Sequence, residues 1–196
     1  MKIAVDVDRT IYDTDRCTAD IAKRAWEMYP DPADAKLRLK AIAKGEGDIH
    51  NWFDPAYLIP EAVDTLRELS KDNTIAICTF RRVPTRFYSE LLDETGIKIS
   101  DIWQPGGYFT KVGFCNDNGY NILIDDDVNN LRDHYNSCRV LPGYKLNFIL
   151  YTGFSVADFS LKEASFKENL SDSVYPMHSW SELSGIMSVI EQRSEK

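Results

Sequence analysis

Three short apolar runs, each followed at once by reactive polar residues, constrain this chain more than anything else in it. They are Lys2-Ile-Ala-Val-Asp-Val-Asp8, Thr74-Ile-Ala-Ile-Cys-Thr79 and Tyr120-Asn-Ile-Leu-Ile-Asp-Asp-Asp127. Brief runs rich in β-branched residues and bounded by polar ones read as strands buried on both faces. Before the second run comes a helix over 60–70, with proline in its first turn and Ala62, Val63, Leu66 and Leu69 on one stripe. Strand, crossover helix, strand is the grammar of a parallel sheet, so an α/β fold is expected.

The spacing of apolar residues predicts further helices over 14–29, 33–44, 81–95, 128–135 and 181–190, a strand over 145–151 and a short strand over 97–103. Turns are expected at Pro105-Gly-Gly107 and Asn116-Asp-Asn-Gly119, and 155–173 has no strong period and reads as a loop. The first two helices stand between the first strand and its crossover helix. Such an insertion leaves the sheet from the end that carries Asp6 and Asp8, where it can fold over them as a lid.

In a strand, residues i and i+2 share a side, so Asp6 and Asp8 are expected to converge on one site. Carboxylates that close repel unless a divalent cation or a shared proton intervenes. Ligands of open parallel sheets bind beyond the carboxyl ends of the strands, where Asp6, Asp8, Thr79, Asp125 and Asp126 all fall. Taken alone, Thr79 would pass for a strand-end threonine and Lys111 for a solvated surface lysine.

Composition excludes other classes. A formal net charge of -8 on 196 residues argues against a nucleic-acid polymer as partner. No apolar run approaches the ~18 residues of a membrane span, and no basic-then-apolar leader precedes the first strand, so a soluble cytoplasmic protein is expected. Cys17, Cys78, Cys115 and Cys138 form no CxxC pair and read as free thiols. His50, His134 and His178 belong to no Ser-His-Asp or HExxH arrangement, and no glycine-rich phosphate loop is present.

In its motifs the chain resembles the haloacid dehalogenase-like (HAD) hydrolase superfamily along essentially its whole length. The first motif is Asp6-Val-Asp8-Arg-Thr10, the second Thr79, the third Lys111 and the fourth Asp125-Asp126; the stretches 60–69 and Tyr175-Pro-Met-His-Ser-Trp180 are similar too. The short interval from Lys111 to Ile124-Asp-Asp126 most resembles the 5'(3')-deoxyribonucleotidase branch. The resemblance implies a Rossmann-like parallel sheet with helices on both faces and a small helical cap inserted after strand 1: residues 1–12 and 58–196 as catalytic core, 13–57 as cap.

It further implies a Mg²⁺-dependent phosphomonoester hydrolase working through an aspartyl-phosphate on Asp6, with Asp8 as general acid and base. Thr79 and Lys111 would bind the substrate phosphate, and Mg²⁺ would take Asp6, the backbone carbonyl of Asp8, and Asp125 or Asp126. The substrate would be a small phosphorylated molecule, with nucleoside monophosphates among the candidates and Trp26, Trp52, Phe53 or Tyr57 available to stack on a base. A sugar-phosphate phosphatase, a phosphomutase and a catalytically idle phosphate-binding regulatory module are the alternatives; a hydrolytic dehalogenase gives Asp8 and the acidic metal site no work. Oligomeric state is not legible in the chain.

The chain departs from the pattern in places. Arg9 stands where the family usually has glycine, Lys111 lacks a following proline, and Asp127 lengthens the acidic run, leaving open which of Asp125, Asp126 and Asp127 face a metal. Asn129 and Asn130 are helpers in reserve, and Arg81, Arg82 and Arg86 read either as a second anion site or as a solvated helix start.

Overall fold

The computed structural model describes residues 1–44, 54–80, 85–104, 110–141, 143–153 and 172–194. Six strands form one parallel sheet: β1 (Lys2–Val5), β2 (Thr74–Cys78), β3 (Ile99–Trp103), β4 (Ile122–Asp125), β5 (Asn147–Tyr151) and β6 (Val174–Met177). Their order is β3-β2-β1-β4-β5-β6. The α/β, Rossmann-like class expected from the sequence is the class observed.

The sheet is buried on both sides because its strands alternate two apolar sets. Ile3, Val5, Ile75, Ile77, Ile122, Ile124 and Ile149 share one core with Ala62 and Leu66 of helix α3 (Pro60–Leu69) and with Met187 and Ile190 of the closing helix, Leu183–Ser194. Ala4, Ala76, Cys78, Leu123, Phe148 and Leu150 face the other way, onto Val112 and Cys115 of one helix, Lys111–Asp117, and Leu131 of the next, Val128–Val140. In chain order these helices are α1 (Thr14–Met28), α2 (Ala35–Lys44), α3, α4 (Thr85–Asp93), α5 (Lys111–Asp117), α6 (Val128–Val140) and α7 (Leu183–Ser194).

Between β1 and α3 the chain makes its long excursion through α1 and α2. It leaves at Tyr12 and returns at Leu58, and these two residues pair in an antiparallel bridge, so departure and return lie side by side. Asp13 donates its N–H to the Tyr57 carbonyl at 2.8 Å, and Ile59 donates to that of Ile11 at 3.0 Å. Arg38 of α2 holds the α1–α2 turn by donating to the carbonyls of Tyr29 and Asp31, with its guanidinium 3.8 Å from the centre of the Trp26 ring.

Three elements differ from expectation. Helix α5 was not foreseen: it is seven residues long, with Gly113 inside it and an Asn-Asp end, so its apolar residues show no helical period. Strand β6 carries Pro176, which an edge strand tolerates because one of its sides has no ladder to complete. Helix α6 continues past Tyr135 to Val140, and His134 on its inner face is fully buried. Residues 105–107 and nearly all of 155–173 lie outside the described residues.

His134 shares hydrogen bonds with the Tyr144 hydroxyl (2.8 Å) and Ser173 Oγ (3.0 Å), with Cys138 Sγ 3.6 Å away. Burial pushes its imidazole down to about 4. A group whose folded value lies below its unfolded one contributes stability at high pH and loses it as pH falls, here between about 6.5 and 4. In urea titrations, the stability advantage of wild type over His134→Gln should therefore shrink by about 3 kcal/mol between pH 7 and pH 4. A constant difference across that window would contradict a buried neutral His134.

Candidate active site

Strand order places the site. Going outward from β1, the chain runs through β2 and β3 on one side and through β4, β5 and β6 on the other, so the topological switch point lies between β1 and β4. Asp6 follows β1, donating its N–H to the Ile124 carbonyl at 2.9 Å, and Asp125 is the last residue of β4. Thr79 follows β2 and is fully buried, its N–H bonded to the Trp103 carbonyl. Three adjacent strands thus deliver their terminal residues to one place.

Lys111 reaches that place from the first residue of α5, whose N-cap is Thr110. Its ammonium donates to Asp6 Oδ1 at 2.6 Å and to Asp125 Oδ2 at 2.7 Å, and all three side chains are at most 5 % exposed. Asn130 of α6 adds a donor to Asp125 Oδ2 at 3.1 Å. Phe80 lies under the ammonium, 5.1 Å from ring centre to Nζ.

Asp8 does not reach the site as the next outward step of a strand. β1 stops at Val5, and the chain then curls, with the N–H groups of Thr10, Ile11 and Tyr12 all donating to the Val7 carbonyl. From that curl the Asp8 carboxylate accepts the Thr14 hydroxyl at 2.7 Å, while Thr10 Oγ1 lies 3.4 Å from Asp6 Oδ2. The buried indole of Trp180 donates to the Thr10 carbonyl at 3.0 Å, across 170 residues of sequence. Arg9 occupies the left-handed region, at φ 60, which glycine would adopt at less cost. Its Nε and Nη2 both donate to Asp15 Oδ1, at 3.0 and 2.9 Å, in the first turn of α1.

Asp6, Asp125 and Asp126 each offer an oxygen within 4.8 Å of the others. Asp127 serves instead as N-cap of α6, its carboxylate accepting the Asn129 N–H at 2.8 Å. Burial lifts the Asp6 carboxyl well above its ordinary value, with Lys111 pulling it down and Asp125 adding to the rise. Burial and the neighbouring Asp125 push Asp126 up to about 7. Burial alone would lower Lys111, but Asp6 and Asp125 outweigh it and hold the ammonium charged. Three crowded carboxylates against one ammonium leave an excess of negative charge on an all-oxygen donor set, which fits a hard divalent cation.

The sequence-derived residues Asp6, Thr79, Lys111, Asp125 and Asp126 come together, with Asp8 beside them. The Asp8–Thr14 contact, the Arg9–Asp15 fork and the Trp180 bond had no signal in the sequence, because each joins residues whose approach depends on the curl after β1. Of the proposed stacking rings, Tyr57 is buried, its hydroxyl bonded to Asp20 at 3.0 Å, and Trp26 lies against Arg38. Trp52, Phe53, Arg81 and Arg82 lie outside the described residues, as does the Arg86 side chain.

By sequence, no family model and no curated protein matches the chain. Solved structures do match in fold. A HAD-superfamily hydrolase of subfamily IA from Geobacter sulfurreducens PCA superimposes with a TM-score of 0.61 at 12% identity, over 94% of this chain and 95% of that one. The HAD-hydrolase YfnB of Bacillus subtilis, bound to magnesium, gives 0.57 at 15%, over 94% and 97%. A mutant of CbbY from Rhodobacter sphaeroides, in complex with xylulose-(1,5)bisphosphate, gives 0.53 at 14%, over 93% and 95%. The fold is that of the HAD-superfamily hydrolases. No helix among the described residues is long and apolar enough to cross a membrane.

The ammonium between two buried carboxylates sets a stability expectation. Removing one partner of such a group typically costs about 3–5 kcal/mol, because an unpaired charge stays behind. Lys111→Met should lose stability of that order in urea unfolding at neutral pH, and Asp125→Asn in the same chain should return part of it. If the second change adds to the loss, the network is not what holds this end of the sheet.

Proposed function

We propose that the protein is a Mg²⁺-dependent phosphomonoester hydrolase acting through an aspartyl-phosphate on Asp6. The observation that carries the reading is the buried Asp6–Lys111–Asp125 network at the switch point, with Thr79 and Asp8 on its margins. Asp6 attacks phosphorus; the Asp6–phosphorus bond forms as the bond to the leaving oxygen breaks, and Asp8 gives that oxygen its proton. Water then attacks the same phosphorus, its proton passes to Asp8, and inorganic phosphate leaves Asp6. Lys111 opposes the rise that burial imposes on the Asp6 carboxyl and, with Thr79, offsets charge on the phosphoryl oxygens. Thr14 orients the Asp8 carboxylate through its hydroxyl.

Asp6, Asp125 and Asp126, with the Asp8 backbone carbonyl, would hold Mg²⁺, which when bound supplies positive charge to the phosphoryl group and its nucleophile. Residues 13–57 act in this reading as a cap whose α1 forms one wall of the approach to Asp8.

Mg²⁺-dependent phosphate release from p-nitrophenyl phosphate tests the mechanism. Asp6→Asn should lower turnover by roughly a thousandfold or more, and Asp8→Asn by about a hundredfold or more; full turnover in Asp6→Asn would sink the covalent route. Saturating MgCl₂ should raise the melting temperature of wild type by about 5 °C or more. The rise should vanish in Asp126→Asn; its persistence would remove Asp126 from the metal set.

A further inference from the structure

Arg9 is held in place against two disadvantages. Among the described residues it alone, glycines aside, has a positive φ, a conformation in which glycine would relieve strain. Its ion pair with Asp15 leaves both partners about half exposed, and a pair so placed contributes little to stability. Stability therefore does not account for an arginine here. Asp15 nevertheless holds the guanidinium more strongly than Asp126 or Asp8, whose charges also reach it. Both Nε and Nη2 turn onto Asp15 Oδ1.

What the pair does fix is the separation between the curl and α1. Asp8 and Arg9 are consecutive at the tip of the curl, where the Arg9 N–H bonds the Tyr12 carbonyl at 2.8 Å. Thr14 and Asp15 are consecutive in the first turn of α1. The contacts of Asp8 with Thr14 and of Arg9 with Asp15 each join residues six apart, as two successive rungs between tip and helix. The first rung is a hydroxyl, which rotates and also lies 3.4 Å from the Tyr12 carbonyl. The second is a planar fork with two donors, and it is the stiffer of the two.

We infer that Arg9 and Asp15 are positioning residues for the proton donor: their fork holds the tip of the curl against α1 and so keeps the Asp8 carboxylate where it can reach the leaving oxygen. The inference rests on the phosphomonoesterase reading, in which Asp8 protonates that oxygen, and adds to it a pair that acts through Asp8. A proton donor matters most when the leaving group is poor, since a stabilised anion departs with little help and a basic one needs its proton. A displaced donor therefore slows esters of basic alcohols more than esters of acidic ones. Damage to the fold slows all of them alike.

The test measures kcat/KM of the full-length protein, with saturating Mg²⁺, on aryl phosphates of similar shape, from p-nitrophenyl phosphate, whose phenolate leaves readily, to phenyl phosphate. This constant covers the steps up to departure of the leaving oxygen, so the later attack of water does not enter. The preference for p-nitrophenyl over phenyl phosphate should rise by at least about twentyfold in Asp8→Asn and by about fivefold in Asp15→Asn or Arg9→Gly. Combining Arg9→Gly with Asp15→Asn should raise it no further, because either change breaks the same fork. An unchanged preference in the single variants, a uniform loss across the series, or an additive effect in the double variant overturns the inference; with the preference still rising in Asp8→Asn, the phosphomonoesterase reading stands. No Asp6-dependent release from any ester overturns both.

Discussion

Everything at the carboxyl end of the sheet depends on one ammonium. Asp6 and Asp125 terminate neighbouring strands whose backbones are tied together, and neither can move away without breaking the β1–β4 ladder. Lys111 lies between them at hydrogen-bonding distance from both, and burial makes each bond stronger and the loss of any one of them more costly. The short helix α5 has its position explained by this: it packs Val112 and Cys115 on the sheet so that its first residue reaches the switch point.

A second consequence of the arrangement is that the residues at this end of the sheet have two different anchors. Asp6, Thr79, Lys111 and Asp125 stand on sheet ends or a helix start, fully enclosed. Asp8 and Arg9 stand on the curl after β1, bonded to Thr14 and Asp15 of α1, so their positions follow those of the first helix.

Much of this was legible in the sequence, because strand ends in a parallel sheet are marked by where apolar runs stop. Thr79, Asp125 and Asp126 announce themselves in that way, and Asp6 does too. Lys111 carries no such mark on its own: its helix is too short to show a period and its partners lie 105 and 14 residues away. The acidic run was ambiguous because three consecutive carboxylates look alike until the start of α6 is located, whereupon Asp127 is taken up as its cap. Arg9 could not be read at all, since both its backbone region and its partner on α1 follow from the curl. Pro176 hid β6 because proline argues against a strand wherever the strand's place at the edge is unknown.

The indole of Trp180 bonded to the Thr10 carbonyl has a bearing on the order in which the molecule is made. The loop that carries Asp6 and Asp8 leaves the ribosome well ahead of its partners: the ammonium follows 105 residues after Asp6, and the indole that fixes the loop's backbone 170 residues after Thr10. Contacts of such separation must wait for the intervening chain and its loop-closure entropy. A nascent chain therefore carries Asp6 and Asp8 without their surroundings while most of the sheet is being synthesised, and this loop, made before everything that anchors it, is among the last parts to be completed.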